Sequence, residues 1–150
     1  MEAIDHIQAA RVWQRVRGQT AEQEAQALAS LMQQEWHNAC VYLQLSRRTC
    51  GPDAALLHRL FEQEQAHCAC LKGIYSIVTG KKAAVRPISA VSGGTEELLR
   101  ACYARHMRSL SAYEVRARDS DYMPVFTRLR DQEMDHCRMA LQLIGNLGPH

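Results

Sequence analysis

Helix-breaking residues are scarce in this chain: its 150 residues include only four prolines and eight glycines, most of them gathered where one helical stretch stops and the next begins. The long uninterrupted segments between them make the chain read as all-α. The six cysteines, at positions 40, 50, 68, 70, 102 and 137, contain no Cys-x-x-Cys pair, which excludes a locally assembled zinc ribbon or four-cysteine iron site. A chain of this length buries enough apolar surface to fold without a disulfide framework, so free thiols in a reducing compartment are the simplest reading. Charge of one sign is also missing. Eighteen Lys and Arg stand against sixteen Asp and Glu, a net charge of +2, and the basic residues are spread rather than blocked. That balance gives no footprint for nucleic acid or for an anionic membrane. No apolar run approaches the length that spans a bilayer, and the first residues lack the basic-then-apolar pattern of a secretory signal. The chain therefore reads as cytoplasmic.

What is present fits one domain of ordinary size, with 47% hydrophobic residues. Thr20 can cap a first long helix, with Glu22 and Glu24 in its first turn, running to about Thr49 before Gly51-Pro52. Asp53 is a natural cap for a second helix that ends at Gly80. Residues 81–94 hold Pro87, Ser89, Ser92 and two glycines, a connection long enough to cross from one end of a bundle to the other. Thr95, with Glu96 and Glu97, opens a third helix to about Arg118. A tight turn at Asp119-Ser120-Asp121 leads into a fourth, from about Tyr122 to Ile144. Short, long, short is the loop pattern of an antiparallel ferritin-type four-helix bundle, here over residues 20–147. Residues 1–19, with Trp13 and Val16, are expected to add a short helix packed outside it.

The second and fourth helices carry matching stripes. One reads Leu57, Leu60, Glu64, His67, Leu71, Ile74, Val78; the other Tyr122, Phe126, Leu129, Glu133, His136, Ala140, Leu143, Leu147. Each apolar face is interrupted by Glu-x-x-His, and the segments align as an internal repeat, Leu60-x-x-Gln63-Glu64-x-x-His67-Cys68 with Leu129-x-x-Gln132-Glu133-x-x-His136-Cys137. The first helix places Glu35 among Leu28, Leu31, Asn38, Tyr42 and Leu45. Antiparallel pairing brings it level with Glu64. On the third helix the expected stripe is Leu99, Tyr103, His106, Leu110, Tyr113, Ala117. Aligning Glu35, Tyr42 and Arg47 with His106, Tyr113 and Arg118 preserves both spacings and puts His106 inward. Glu114 competes for that role but lies two turns on and off the line.

An ionised carboxylate in a low-dielectric core costs several kcal/mol unless it is paired or binds a cation, whereas a fully buried large apolar side chain returns roughly 1.5–3 kcal/mol. Three carboxylates in one layer become favourable when two divalent ions lie between the helices. Oxygen and imidazole nitrogen suit iron and manganese. A Glu from each of two helices plus Glu-x-x-His from the other two is the known ligand pattern of di-iron bundles.

On these residues the chain resembles the rubrerythrin-like branch of the ferritin-like di-iron family, over roughly residues 24–147. The matched positions are Glu35, Glu64-x-x-His67 and Glu133-x-x-His136; the segments Arg11–Arg17 and Tyr42–Arg47 also look like small ferritin-like proteins of anaerobic bacteria. The resemblance implies that Glu64 and Glu133 bridge two ions, iron first and manganese or a mixed pair next, with Glu35 and His67 on one ion and His136 on the other. It implies an oxidoreductase that reacts with hydrogen peroxide or dioxygen. It also allows a homo-oligomer, since ferritin-like bundles make dimers and cages. The chain departs from the family in two ways. His106 stands where the family has a glutamate, and the paired-cysteine rubredoxin domain is absent, so electrons must come from a separate donor protein. With three carboxylates for two divalent ions the ferric pair is less favoured, which suits added hydroxide or oxide, a reduced state, manganese or a single tightly held ion equally.

Other readings of the same residues stay open. His106 can be a core histidine hydrogen-bonded to Tyr42 or Glu133, and Asn38 either a partner of a ligand or a plain buried amide. The tyrosines 42, 103 and 113 read as packing residues with satisfied hydroxyls. Cys68 and Cys137 follow the two histidines, point off the ligand face and read as core thiols. His37, His58 and Arg47 read as surface. At the level of function, the alternatives are iron sequestration with ferroxidase chemistry but no peroxidase turnover, and a metal-free structural or interaction bundle.

Overall fold

The computed structural model describes residues 6–148, with residues 6–19 and Asp119 described by their backbone alone. The order is α1 (His6–Arg48), α2 (Gly51–Thr79), α3 (Thr95–Asp119) and α4 (Met123–Asn146), with no strand among the described residues. Helix α1 packs along α2 and α3 along α4. The two hairpins join through α1 on α3 and α2 on α4, giving a four-helix bundle. No described helix is long and apolar enough to cross a membrane.

Two boundaries differ from expectation. Helix α1 is continuous through Thr20, where a start was expected, so residues 6–19 and the bundle helix are one rod. With no proline in the stretch, Gly18 alone costs about 1 kcal/mol relative to alanine, too little to break it. The expected packing of Trp13 and Val16 concerns side chains outside those described. Asp53 does not cap α2. The helix begins at Gly51, whose φ of 75° reverses the chain, and Pro52 sits in the first turn, where its missing N–H is no loss. Asp53 instead accepts a 3.0 Å hydrogen bond from Asn146, tying the start of α2 to the end of α4. Helix α4 starts at Met123, with Tyr122 as its cap, within one residue of the expected start.

Gly80 closes α2 as expected. It adopts the left-handed conformation, φ 67°, and its N–H bonds the Ser76 carbonyl at 2.9 Å. Residues 80–94 then cross the bundle without helix or strand. Two glutamines of α1 clasp this crossover by its backbone. Gln33 accepts from the Arg86 N–H (2.8 Å) and donates to its carbonyl (3.2 Å), and Gln44 makes the same pair of bonds with Val91.

The core is split in two. One apolar cluster holds Leu28, Leu31, Met32, Leu71, Ile74, Tyr113, Phe126 and Leu129; the other holds Val41, Tyr42, Leu45, Leu57, Leu60, Leu98, Leu99 and Leu143. Between them, at the same height on all four helices, lies a layer of buried polar residues: Glu35, Asn38, Glu64, His67, His106, Ser109, Glu133 and His136. The stripes expected for α1, α2 and α4 face inward, with Val78, Tyr122 and Leu147 at the half-buried ends. On α3 the phase differs. Cys102 and Ser109 are fully buried, whereas Tyr103, Leu110 and Ala117 lie at the edge. Residues 99, 102, 106, 109 and 113 alternate steps of three and four and so follow one helical face. The larger apolar groups at 103 and 110 sit beside it.

Candidate metal centre

None of the six residues expected to form the site is more than 3% exposed. Their side-chain donors form two groups, Glu35, Glu64, His67 and Glu133, and Glu64, His106, Glu133 and His136, each with its ligand atoms within 4.8 Å of one another. Glu64 and Glu133 belong to both. Glu114 is half-buried on the next turns of α3 and enters neither group.

The three imidazoles are oriented alike, with Nδ1 towards the carboxylates. His106 Nδ1 lies 2.6 Å from Glu133 Oε1 and 3.5 Å from Glu64 Oε1; His136 Nδ1 lies 2.9 Å from Glu64 and 3.5 Å from Glu133. His67 Nδ1 is 3.6 Å from Glu133 and 3.8 Å from Glu35. Each Nε2 is held from outside the layer. Gln132 Oε1 accepts from His67 at 2.8 Å, Gln63 Oε1 accepts from His136 at 2.9 Å, and the Tyr42 hydroxyl lies 2.7 Å from Nε2 of His106. An amide oxygen on Nε2–H fixes the tautomer that leaves the Nδ1 lone pair facing inward, the arrangement a metal-ligating histidine needs. The rings of His67 and His136 stack at 4.9 Å across the centre.

Both readings of His106 meet in this geometry. It is hydrogen-bonded to Tyr42 and to Glu133, and the nitrogen on Glu133 is also the one grouped with the other donors. Asn38 lies beside His106, whose Nδ1 already bonds Glu133. Its Nδ2 is 3.5 Å from His106 Nδ1, and its Oδ1 accepts from Arg105 Nε at 2.6 Å. Tyr113 donates a 2.6 Å hydrogen bond to Glu35 Oε1.

The layer is not satisfied by its own hydrogen bonds. Among the described residues, the buried side-chain nitrogen and oxygen atoms without a partner are Glu35 Oε2, both oxygens of Glu64, His67 Nδ1, Glu133 Oε2 and His136 Nδ1. All six face this one locus. The 2.9 Å approach of His136 to Glu64 is not aligned for a hydrogen bond, so both atoms remain without one. Buried polar atoms are otherwise nearly always paired, and each orphan costs about 1–3 kcal/mol.

Charge is equally uneven. Burial, with Glu35 beside it, drives the Glu64 carboxyl well above its usual range. Burial acts the same way on Glu133, but the imidazoles of His106, His136 and His67 outweigh it and hold that carboxyl well below the usual range. Burial disfavours charge on His67, yet Glu133 and Glu35 hold its pKa up at about 10. Burial lowers the pKa of His136. Without a cation, the layer has to hold protons that a cation can replace.

A pseudo-twofold relation runs through these contacts. Gln63 on α2 bonds the histidine of α4 and Gln132 on α4 the histidine of α2; Tyr42 on α1 meets His106 on α3 and Tyr113 on α3 meets Glu35 on α1. One position before each α1 or α3 site residue pairs with the position three after the other: Arg105 with Asn38, and Ser109, which donates to Gln34 at 3.1 Å. The ligand pattern in the sequence assigns no role to Gln63, Gln132, Gln34, Arg105 or Ser109, although the internal repeat contains a signal for Gln63 and Gln132. The six cysteines are free; Cys68 and Cys137 are buried beside the Met32 carbonyl and the Met107 sulfur, as core thiols. Burial raises the Cys102 and Cys137 thiols to about 11. His58 and Arg47 are exposed and His37 half-buried. Comparison of the chain with protein-family models, with curated proteins and with solved structures gave no match.

Proposed function

We propose that the Glu/His layer is a two-metal centre, iron first and manganese or a mixed pair next, and that the protein is a ferritin-like, rubrerythrin-like oxidoreductase acting on hydrogen peroxide or dioxygen with electrons from a separate donor. The observation that carries this reading is the set of six orphaned buried donors directed at one locus. Two overlapping donor groups that share Glu64 and Glu133 support two ions rather than one. In this reading Glu64 and Glu133 would be shared by the two ions, Glu35 and His67 would hold one, and His106 and His136 would hold the other. Two iron ions would supply two electrons to one O–O bond.

The chain's own residues set the conditions for that chemistry. The two apolar clusters close the layer off above and below and keep the local dielectric low, which strengthens every charge interaction inside. Gln63 and Gln132 hold two imidazoles in the ligating tautomer, and Tyr113 holds one oxygen of Glu35 while leaving the other free. The terminal donors are unequal: one position has a carboxylate and an imidazole, the other two imidazoles. Three carboxylates balance less of the charge of two trivalent ions than four would.

The test is metal loading of the purified chain with Fe(II) or Mn(II) under anaerobic conditions, read by elemental analysis and thermal unfolding. Two ions per chain and a raised Tm are expected; no bound metal with an unchanged Tm overturns the metal centre. On the iron-loaded protein, fast oxidation by peroxide and slow oxidation by dioxygen is the expected pattern. Accumulation of a ferric mineral without peroxide turnover would indicate a store instead.

A further inference from the structure

On the face where α1 and α3 meet beneath the crossover lies a cleft of about 610 Å³, lined by Gln33, Gln34 and His37 of α1, Arg86 of the crossover, and Arg105 and Arg108 of α3. It lies outside the Glu/His layer. No carboxylate is among the residues that line it. Four arginines outside the cleft pair with acids, Arg100 with Glu96, Arg116 with Glu24, Arg130 with Asp131, and Arg138 with Asp135, while others, such as Arg59 and Arg128, stand singly on the surface among the described residues. Arg86 and Arg108 have no such pair among the described residues, and Arg105 donates only to the neutral Asn38 and Cys102 side chains. Three arginines and no acid thus line one concave space in a chain whose net charge is only +2.

We propose that this cleft binds a small anion carrying phosphate or carboxylate groups. A guanidinium presents a planar fork of donors that matches either group in bidentate fashion, and its charge is permanent. One of the three forks, that of Arg105, is fixed in advance, and a second residue, Arg86, is held at its backbone. The backbone of Arg86 is clasped by Gln33 through both its N–H and its carbonyl, and Arg105 is anchored at Nε by Asn38. Such preorganisation lowers the entropy lost on binding. The Gln34 amide, whose oxygen accepts from Ser109, keeps its N–H donors for a polar ligand. The volume exceeds what a single inorganic ion fills, which suits a phosphorylated or polycarboxylate small molecule.

Arg105 also links the cleft to the buried layer, because the Asn38 that anchors it stands 3.5 Å from Nδ1 of His106. An anion drawing on Arg105 is therefore felt at Asn38.

The experiment is an NMR titration of the full, isotope-labelled chain, without added metal, with inorganic phosphate and separately with citrate. Saturable shifts are expected at the Arg86, Arg105 and Arg108 side-chain N–H signals and at the side-chain amides of Gln34 and Asn38. Binding of phosphate alone assigns the cleft to phosphoryl groups, binding of citrate alone to carboxylates, and either supports the proposal. The Arg86→Ala/Arg108→Ala double variant, which touches neither the core nor the Glu/His layer, should keep its Tm and bind at least about tenfold more weakly. No saturable binding of either probe at tens of millimolar, or equal affinity in the double variant, overturns it. Neither result depends on metal occupancy, so the proposal fails or stands separately from the two-metal centre.

Discussion

Gln63 on α2 accepts a 2.9 Å hydrogen bond from Nε2 of His136 on α4, and Gln132 on α4 returns the same bond to His67 on α2 at 2.8 Å. Each Glu-x-x-His helix thus positions the histidine of the other. The residue that does so comes immediately before the glutamate, so one five-residue segment supplies an inward carboxylate, an inward imidazole and the amide that orients the facing imidazole. Two copies of that segment, antiparallel across the core, complete each other without any help from loops.

The first prediction follows from that exchange. Gln63→Leu removes the acceptor for His136 Nε2–H and releases the ring to either tautomer, while Gln132→Leu does the same to His67. Loss of such an outer partner costs about 10–100-fold in metal affinity. Competition with a chelator of known affinity should show one of two metal ions weakened in each single variant and both weakened in the double. An unchanged affinity would mean that the amides only fill space.

Much of this was legible in the sequence because the bundle repeats itself. Leu57, Leu60, Glu64, His67 and Leu71 keep steps of three and four, and a carboxylate in the middle of such a stripe has no bland explanation. The phase of α3 was harder to read. Tyr103 and Leu110 are large and apolar and so capture a hydrophobicity pattern, although small Cys102 and Ser109 occupy the face that meets α1 and α4. The offset that carries Glu35 to His106 also carries Leu31 to Cys102 and Asn38 to Ser109, and it outperforms hydrophobicity there. The cross-helix bonds of Gln34, Arg105 and Ser109 depend on which side chains meet between helices, information that periodicity along one helix does not hold. Helix α1 runs on through Thr20 because a good capping residue is permissive: it ends a helix only where the chain also has cause to turn.

His106 is the natural place to alter the charge of the centre. His106→Glu adds a fourth carboxylate within reach of Glu64 and Glu133, in a position fully buried and level with the others. The variant should retain two ions and, when iron-loaded, shift its reduction potential to a more negative value, because added negative charge favours the ferric state. Spectroelectrochemistry checks the direction. His106→Ala should lose one of the two ions; full occupancy in that variant would remove His106 from the donor set, and Glu114→Gln is the control, with no expected effect.

Gln44 offers a test of how the crossover is held. Its amide makes two bonds to the backbone of Val91, at 2.5 and 3.0 Å, and no other side chain bonds the Val91 N–H among the described residues. Gln44→Ala should destabilise this segment locally by about 1–2 kcal/mol. Hydrogen exchange at the Val91 amide should quicken by about 5–30-fold while exchange in the middle of α2 and α4 stays the same. Equal acceleration throughout would show that the crossover opens only with the whole bundle.

The strongest stability prediction opposes the usual rule that a buried-site substitution is harmful. Both oxygens of Glu64 are buried without partners, and burial together with Glu35 raises its carboxyl well above the ordinary value of 4.5. A carboxyl whose folded pKa is raised binds a proton in the folded chain that the unfolded chain releases. In the metal-free protein this group therefore lowers stability progressively as pH rises above about 4.5, up to the folded pKa. Glu64→Gln keeps the shape and removes that penalty. The metal-free variant should be more stable than the parent by on the order of 1 kcal/mol or more near pH 7, a rise of about 2–4 °C in Tm per kcal/mol for a chain of this size. Its advantage should shrink towards pH 4.5. With Fe(II) or Mn(II) present the order should reverse, because the parent gains the binding free energy of two ions and the variant loses a shared donor. Thermal unfolding of both proteins, with and without metal at two pH values, decides it: a variant less stable than the parent in the absence of metal would mean that Glu64 is satisfied within the fold and has no need of a cation.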